Sequence, residues 1–231
     1  MTPLHHRQAN HPISAGATRL QPLHWLPLAA LNLLRNPFGE LTRADRVRAA
    51  VVDLAPFREI LDTEMTAIQF LADCGRGKTT HLLAIANQFP ESAYVYLPED
   101  GRHPKIPDGD PLLIDEAQRL PWLVRRRTFR RGVRLVLGTH VDLRGPLRRA
   151  GYRVWTYHVG QNLSGRQLAE MLNRRIEIAR LDRGPIPTIS IEEADALIEQ
   201  HSNDIRAIED TLFDRFRQQA GQFHGEMRFN D

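Results

Sequence analysis

Cysteine is almost missing from this chain: Cys74 is the only one in 231 residues. One thiol forms no internal disulfide, which excludes the cross-linked framework of small secreted domains and makes a cytoplasmic setting the expectation. Lysine is nearly as scarce. Lys78 and Lys105 are the only two, so 29 of the 31 basic residues are arginine. No apolar run approaches the ~20 residues that span a bilayer, and the longest, over 23–34, is broken by His24 and Pro27. Residues 1–22 are polar and rich in histidine, so no signal peptide is expected there. Those histidines lack metal-ligand spacing.

What remains is an ordinary folding chain. Hydrophobic residues make up 42% and charged residues 26%, with a net charge of +3, a balance typical of globular proteins. The length suits one large domain or one domain with a small lid. The divisions expected are a disordered tail over 1–35, a core over 36–160 and a helical lid over 161–231. Asn36-Pro37-Phe38-Gly39 reads as a turn, and Thr42 as the cap of a helix over 43–54. Apolar runs at 66–71, 93–97, 111–115, 133–139 and 153–159 read as buried strands. Alternating with helical patterns, they predict an α/β fold, a five-stranded parallel sheet in a three-layer α/β/α arrangement. Beyond Val159 only helical periods appear, with Ser190 and Glu193 at capping-box spacing and a last helix reaching about Gln219.

Between the first strand and the next helix lies Ala72-Asp73-Cys74-Gly75-Arg76-Gly77-Lys78-Thr79-Thr80. It matches a relaxed Walker A phosphate loop, with alanine where the first glycine usually stands. Gly75 and Gly77 allow the backbone to turn successive N–H groups inward around an anion. The following helix adds its N-terminal dipole. Lys78 is placed to reach the outer phosphates of ATP, and the Thr79 hydroxyl to ligate Mg2+. In a chain so poor in lysine, an ammonium at this position is pointed, because a planar guanidinium is not interchangeable with it. Cys74 reads as a small filler of the loop.

A second motif gives this loop its context. Leu112-Leu113-Ile114 runs directly into Asp115 and Glu116, at the strand edge where parallel sheets bind ligands. Asp115 suits the Mg2+ shell, and Glu116 suits polarising a water for attack at the γ-phosphate. Only 37 positions separate Lys78 from Asp115, and residues 98–110 read as loop. A parallel crossover usually carries a helix, so this connection is expected to be stripped. Thr139-His140 ends the next strand at the height of the γ-phosphate, either orienting water or simply ending a strand. Arg148 and Arg149 are either an arginine finger for a neighbouring subunit's nucleotide or a solvated helix end. The run over 125–134 holds six arginines, Arg134 included, either a contact for DNA or RNA phosphate or a solvated face.

Together these residues resemble the AAA+ superfamily of P-loop ATPases. The bacterial branch with transposition-accessory and secretion-associated ATPases, and origin-recognition-type ATPases, are the most similar. "NPFG", "GRGKTT", "LLIDEAQRL", "LVLGTH", "LRRAGYRV" and "SNDIRAIEDTL" occur in the family's order over 36–212. The resemblance implies phosphate and Mg2+ binding at Lys78 and Thr79, and a Walker B pair at Asp115 and Glu116. It further implies a sensor 1 role for Thr139, a sensor 2 role for Arg206 and an adenine wall around Phe38. The chain departs from the family at Ala72, in the missing helix before Pro111 and in having no certain finger. The implied activity is ATP hydrolysis coupled to a protein partner or homo-oligomer, with DNA involvement open. The alternative is a module in which ATP only sets a conformation. A small-molecule kinase is disfavoured by the absence of an acceptor-binding segment.

Overall fold

A computed structural model describes residues 28–102, 104–160 and 163–224. Most of the expected tail, residues 1–27, lies outside them. In chain order the elements are α1 (Arg43–Ala49), α2 (Ala55–Leu61), β1 (Thr66–Leu71), α3 (Lys78–Ala86), β2 (Ala93–Tyr96) and β3 (Leu112–Asp115). After them come α4 (Trp122–Thr128), β4 (Leu135–Thr139), α5 (Arg144–Arg149), β5 (Arg153–His158), α6 (Gly165–Ile178), α7 (Ile191–His201) and α8 (Ile205–His224). No helix among the described residues is long and apolar enough to cross a membrane.

The five strands form one parallel sheet in the order β2-β3-β4-β1-β5. Side chains alternate across a strand, and both faces here are apolar. Ala67, Leu112, Ile114, Leu135 and Leu137 pack against Phe129 beyond α4 and Leu143 and Leu147 of the α5 region. Ile68, Phe70, Leu113 and Val136 pack against Phe57 and Leu61 of α2 and Leu82 and Ile85 of α3. The result is three layers, α/β/α. Register sets the strand ends level: Leu71 lies beside Thr139 and His158, and Tyr96 beside Asp115. One polar side chain crosses this core. Gln69 on β1 donates to Asp142 Oδ1 at 2.7 Å and Thr156 Oγ1 at 2.8 Å, and accepts from the Leu143 amide at 2.9 Å.

Between β2 and β3 no helix is found among the described residues. Its place is taken by arginines that satisfy the loop's oxygens. Arg119 donates to the Leu97 carbonyl at 2.9 Å and to Glu99 at 2.6 Å. Arg131 reaches the Pro107 carbonyl at 2.7 Å, and Arg134 the Asp110 carboxylate at 2.8 Å. Ile106, buried in the sheet's core, anchors the middle.

The helical part begins with two capping boxes, Ser164 with Gln167 on α6 and Ser190 with Glu193 on α7. Its core also takes in Leu28, Leu33 and Phe38, which pack with Leu172, Ile176, Ile208 and Phe216. Arg175 is buried, donates to the Pro37 carbonyl at 3.0 Å and the Gly39 carbonyl at 2.9 Å, and pairs with Glu209. Residues 28–39 therefore fold with the C-terminal helices, where a tail and a core boundary at 36 were expected. Thr42 does cap α1, accepting from the Asp45 amide at 3.1 Å. That helix stops at Ala49 instead of 54, because Asp53 and Pro56 start α2 and the chain must extend between the two.

Replacing Gln69 with Leu leaves the Leu143 amide and the Thr156 hydroxyl without their partner in a buried site. A destabilisation of about 1–3 kcal/mol is expected, read from urea unfolding midpoints, and an unchanged midpoint would contradict this role.

Candidate active site

The level strand ends bring the sequence-predicted groups to one edge. Gly75 and Gly77 have φ of +78° and +93°, left-handed values that a side chain resists. The loop they shape curls around the Lys78 ammonium, which donates to the Ala72 carbonyl at 2.8 Å and the Asp73 carbonyl at 2.9 Å. Lys78 is buried, and burial lowers its pKa against the opposing pull of Glu116, Cys74, Asp115 and Asp73. His81, one turn into α3, has its pKa lowered by burial. Neutral, it donates from Nδ1 to the Gly77 carbonyl at 3.0 Å, bracing the loop from behind.

Thr79 donates its hydroxyl to Asp115 Oδ2 at 2.6 Å. The same oxygen accepts from the Tyr94 hydroxyl at 3.0 Å, and Oδ1 from the Glu116 amide at 3.1 Å. Burial, then the neighbouring Asp115 charge, raises the Tyr94 pKa, so the phenol keeps its proton. Gly138 on β4 has no side chain to spare: a Cβ there would sit 2.6 Å from Asp115 Oδ1. Tyr94 and Gly138 went unread in the sequence. Only the assembled sheet brings the Tyr94 hydroxyl and the Gly138 backbone to Asp115.

Glu116 has φ of +60°, an uncommon conformation for a residue with a side chain and one met at active sites. Its carboxylate accepts from Gln118 at 2.7 Å, lies 3.4 Å from Arg119 and is 3.2 Å from His140 Nε2. That imidazole nitrogen is also 3.2 Å from the Lys78 ammonium. It therefore sits between cation and carboxylate and bonds one of them at a time, according to its proton. The Thr139 hydroxyl is turned elsewhere, into its own strand-end turn, donating to the Val141 carbonyl at 2.8 Å. Of the two polar residues ending β4, His140 is the one brought to Lys78 and Glu116. Cys74 is exposed, its sulfur 3.7 Å from His140 Nε2.

Beside the loop opens a cavity of about 330 Å³ between the sheet, α1 and the helical part, lined by Thr80 and His81. Val51, Val52, Tyr157, Met171 and Ile205 are among the residues of its apolar wall. Phe38 is absent from that wall. It is buried under the helical part, edge-on to Phe216 at 5.4 Å, with the Arg175 guanidinium over its ring. Val51 and Val52, in the extended stretch after α1, line the cavity instead.

The turn between α7 and α8 meets the loop directly. Arg76 donates to the Ser202 carbonyl at 2.8 Å. Asp204 caps α8 through the Arg206 and Ala207 amides, and a Cβ on Gly75 would lie 2.9 Å from its carboxylate and 3.3 Å from Arg206 Cβ. Arg206 thus stands at the loop. Arg148 and Arg149 do not. They end α5 just before Arg153, which pairs with the first residue of β1, at the sheet edge opposite the loop.

Thr79 and Asp115 offer hard oxygens side by side, and no group of three or more His, Cys, Asp or Glu among the described residues makes a metal cage. That donor set fits Mg2+, which takes one or two protein oxygens and completes its shell with phosphate and water.

No protein-family model matches the chain, and neither does any curated protein sequence. Among solved structures, the chain is similar to the Thermotoga maritima RuvB Holliday junction branch migration motor. The two are 19% identical with a TM-score of 0.47, over 83% of this chain and 66% of that one.

Proposed function

We propose that the chain binds ATP with Mg2+ and hydrolyses it to ADP and phosphate, and that its helical part passes the nucleotide state to a protein partner or a second copy. The observation that carries this reading is the junction at the strand ends, where the Thr79 hydroxyl and the Glu116 amide bond the buried Asp115 and His140 lies between the buried Lys78 and the Glu116 carboxylate. Lys78, Thr80 and the inward amides of Gly75, Arg76 and Gly77 hold the phosphates, and the apolar cavity beside them takes the base. Thr79 and Asp115 would hold Mg2+, which would supply charge neutralisation at the phosphates. Glu116 accepts the proton of the attacking water, and His140 sets where its carboxylate points. Arg206 and Arg76 let the helical part sense the loop. Arg148 and Arg149, at the far sheet edge, are out of reach of this chain's own nucleotide. The lone cysteine and the absence of a spanning helix among the described residues support a cytosolic setting.

One observation favours a second reading, a module that binds ATP without hydrolysing it. Gln118, Arg119 and His140 all engage the Glu116 carboxylate, so a water must compete with them for it. Phosphate release separates the two. Glu116→Gln is expected to retain ATP and lower release by roughly 10²–10⁴-fold, the usual worth of a general base. Wild type releasing no more than Glu116→Gln at any protein concentration would leave only the binding module.

Burial of Lys78 also predicts a pH dependence. Its ammonium deprotonates below the ordinary value of 10.5 in the free protein, and bound phosphate pulls that value back up. ATP affinity is therefore full near neutrality and falls as pH rises through the lowered Lys78 value, with proton uptake on binding. Affinity that stays level until pH 10.5 would contradict the assignment.

A further inference from the structure

The arginine run divides in two when its contacts are followed. Arg131 and Arg134 are spent on the loop before β3. Arg125, Arg126 and Arg130 are not. With Trp122 and Phe129 they fall at helical spacing along one face of α4 and the turn after it, the side that closes against α5. Together with Arg149 they line a groove of about 440 Å³ floored by Phe129. Among the described residues none of these four guanidinium groups has a hydrogen bond or an ion pair, and no acidic residue occurs between Glu116 and Asp142. A preference for arginine over lysine explains the identity of these cations but not the missing carboxylates. Four like charges around one concavity repel each other until an anion arrives.

The groove also carries an aromatic face. Trp122 is 61% exposed, with the Arg126 guanidinium 5.7 Å from its ring centroid, and Leu123 beside it is 68% exposed. We propose that this groove binds single-stranded nucleic acid, the arginines taking successive phosphates and the Trp122 indole stacking on a base. Guanidinium groups suit phosphate oxygens, and a cationic groove with an exposed aromatic platform is what unpaired bases need. An acidic peptide matches the charge but leaves the indole without a stacking partner. A duplex keeps its base faces covered. The groove lies on the sheet face opposite the packing of α2 and α3, away from the cavity beside the phosphate loop. Its occupancy therefore does not rest on the ATP reading.

Fluorescence anisotropy of a labelled oligo-dT strand, without nucleotide, tests this. Wild type is expected to bind with an affinity that falls steeply with salt. The triple variant Arg125→Glu, Arg126→Glu, Arg130→Glu is expected to bind at least about tenfold more weakly, with a salt slope shallower by about 0.7 per lost phosphate contact. Trp122→Ala is expected to weaken binding about 5-fold or more, the worth of one stacked base, and to leave the salt slope unchanged. Thermal unfolding and ATP binding of each variant, both expected to match wild type, show that the fold survives. Four results would each overturn the proposal: no binding by wild type at low salt, oligo-dT affinity untouched by the triple variant, competition by poly-glutamate with Trp122→Ala binding as wild type, or duplex held as tightly as single strand. Loss of self-association alone in the triple variant would assign the groove to a second copy of the chain instead.

Discussion

Asp115 is a carboxylate with no exposure to solvent, and the surrounding chain is arranged to satisfy its oxygens there. A buried carboxylate left without partners costs several kcal/mol. This one is met by three donors: the Thr79 hydroxyl from α3, the Tyr94 hydroxyl from β2 and the Glu116 amide at the end of its own strand. Those bonds fix the phosphate loop, the sheet edge and the left-handed turn at Glu116 relative to one another. The fourth side is closed by β4, whose Gly138 approaches as near as it does because it has no Cβ. Lys78 and Glu116 then take their positions around that carboxylate.

Arginine supplies much of the remaining order. Where a crossover helix is missing, Arg119, Arg131 and Arg134 cap the loop's carbonyl and carboxylate oxygens. Arg175 does the same for the turn around Phe38 and pairs with Glu209, joining the N-terminal segment to α6 and α8. Arg76 links the phosphate loop to the turn before α8. Each of these guanidinium groups has an oxygen to answer it. The contrast with Arg125, Arg126, Arg130 and Arg149 is what marks the groove between α4 and α5 as a surface built for something else.

The strands, the glycine loop before α3 and the Asp115-Glu116 strand end were legible because each is a local pattern: an apolar run, glycines before a lysine, acids after three aliphatic residues. The observed strands start or end within two residues of the expected ones. What escaped depends on pairing across the sheet or between distant segments. Tyr94 and Gly138 matter only because the neighbouring strands bring them to Asp115, Tyr94 through its hydroxyl from a position paired with Leu113 and Gly138 through its bare backbone. Residues 28–39 have no periodicity of their own, and nothing local says that Leu33 and Phe38 bury against helices more than 120 positions later. Thr139 and His140 are adjacent, and which of them faces Lys78 depends on a turn in which the Thr139 hydroxyl bonds its own backbone. The end of α1 was missed because Asp53 and Pro56, ordinary in isolation, together begin a new helix.

The central claim is that Lys78, Thr79 and Asp115 form one Mg2+-dependent ATP site. Calorimetric titration with ATP, in Mg2+ and in EDTA, on wild type and Lys78→Ala, tests it most directly. The account predicts one saturable site in wild type, weakened when Mg2+ is removed and lost in Lys78→Ala. Equal binding by wild type and Lys78→Ala, or none by folded wild type, would contradict it.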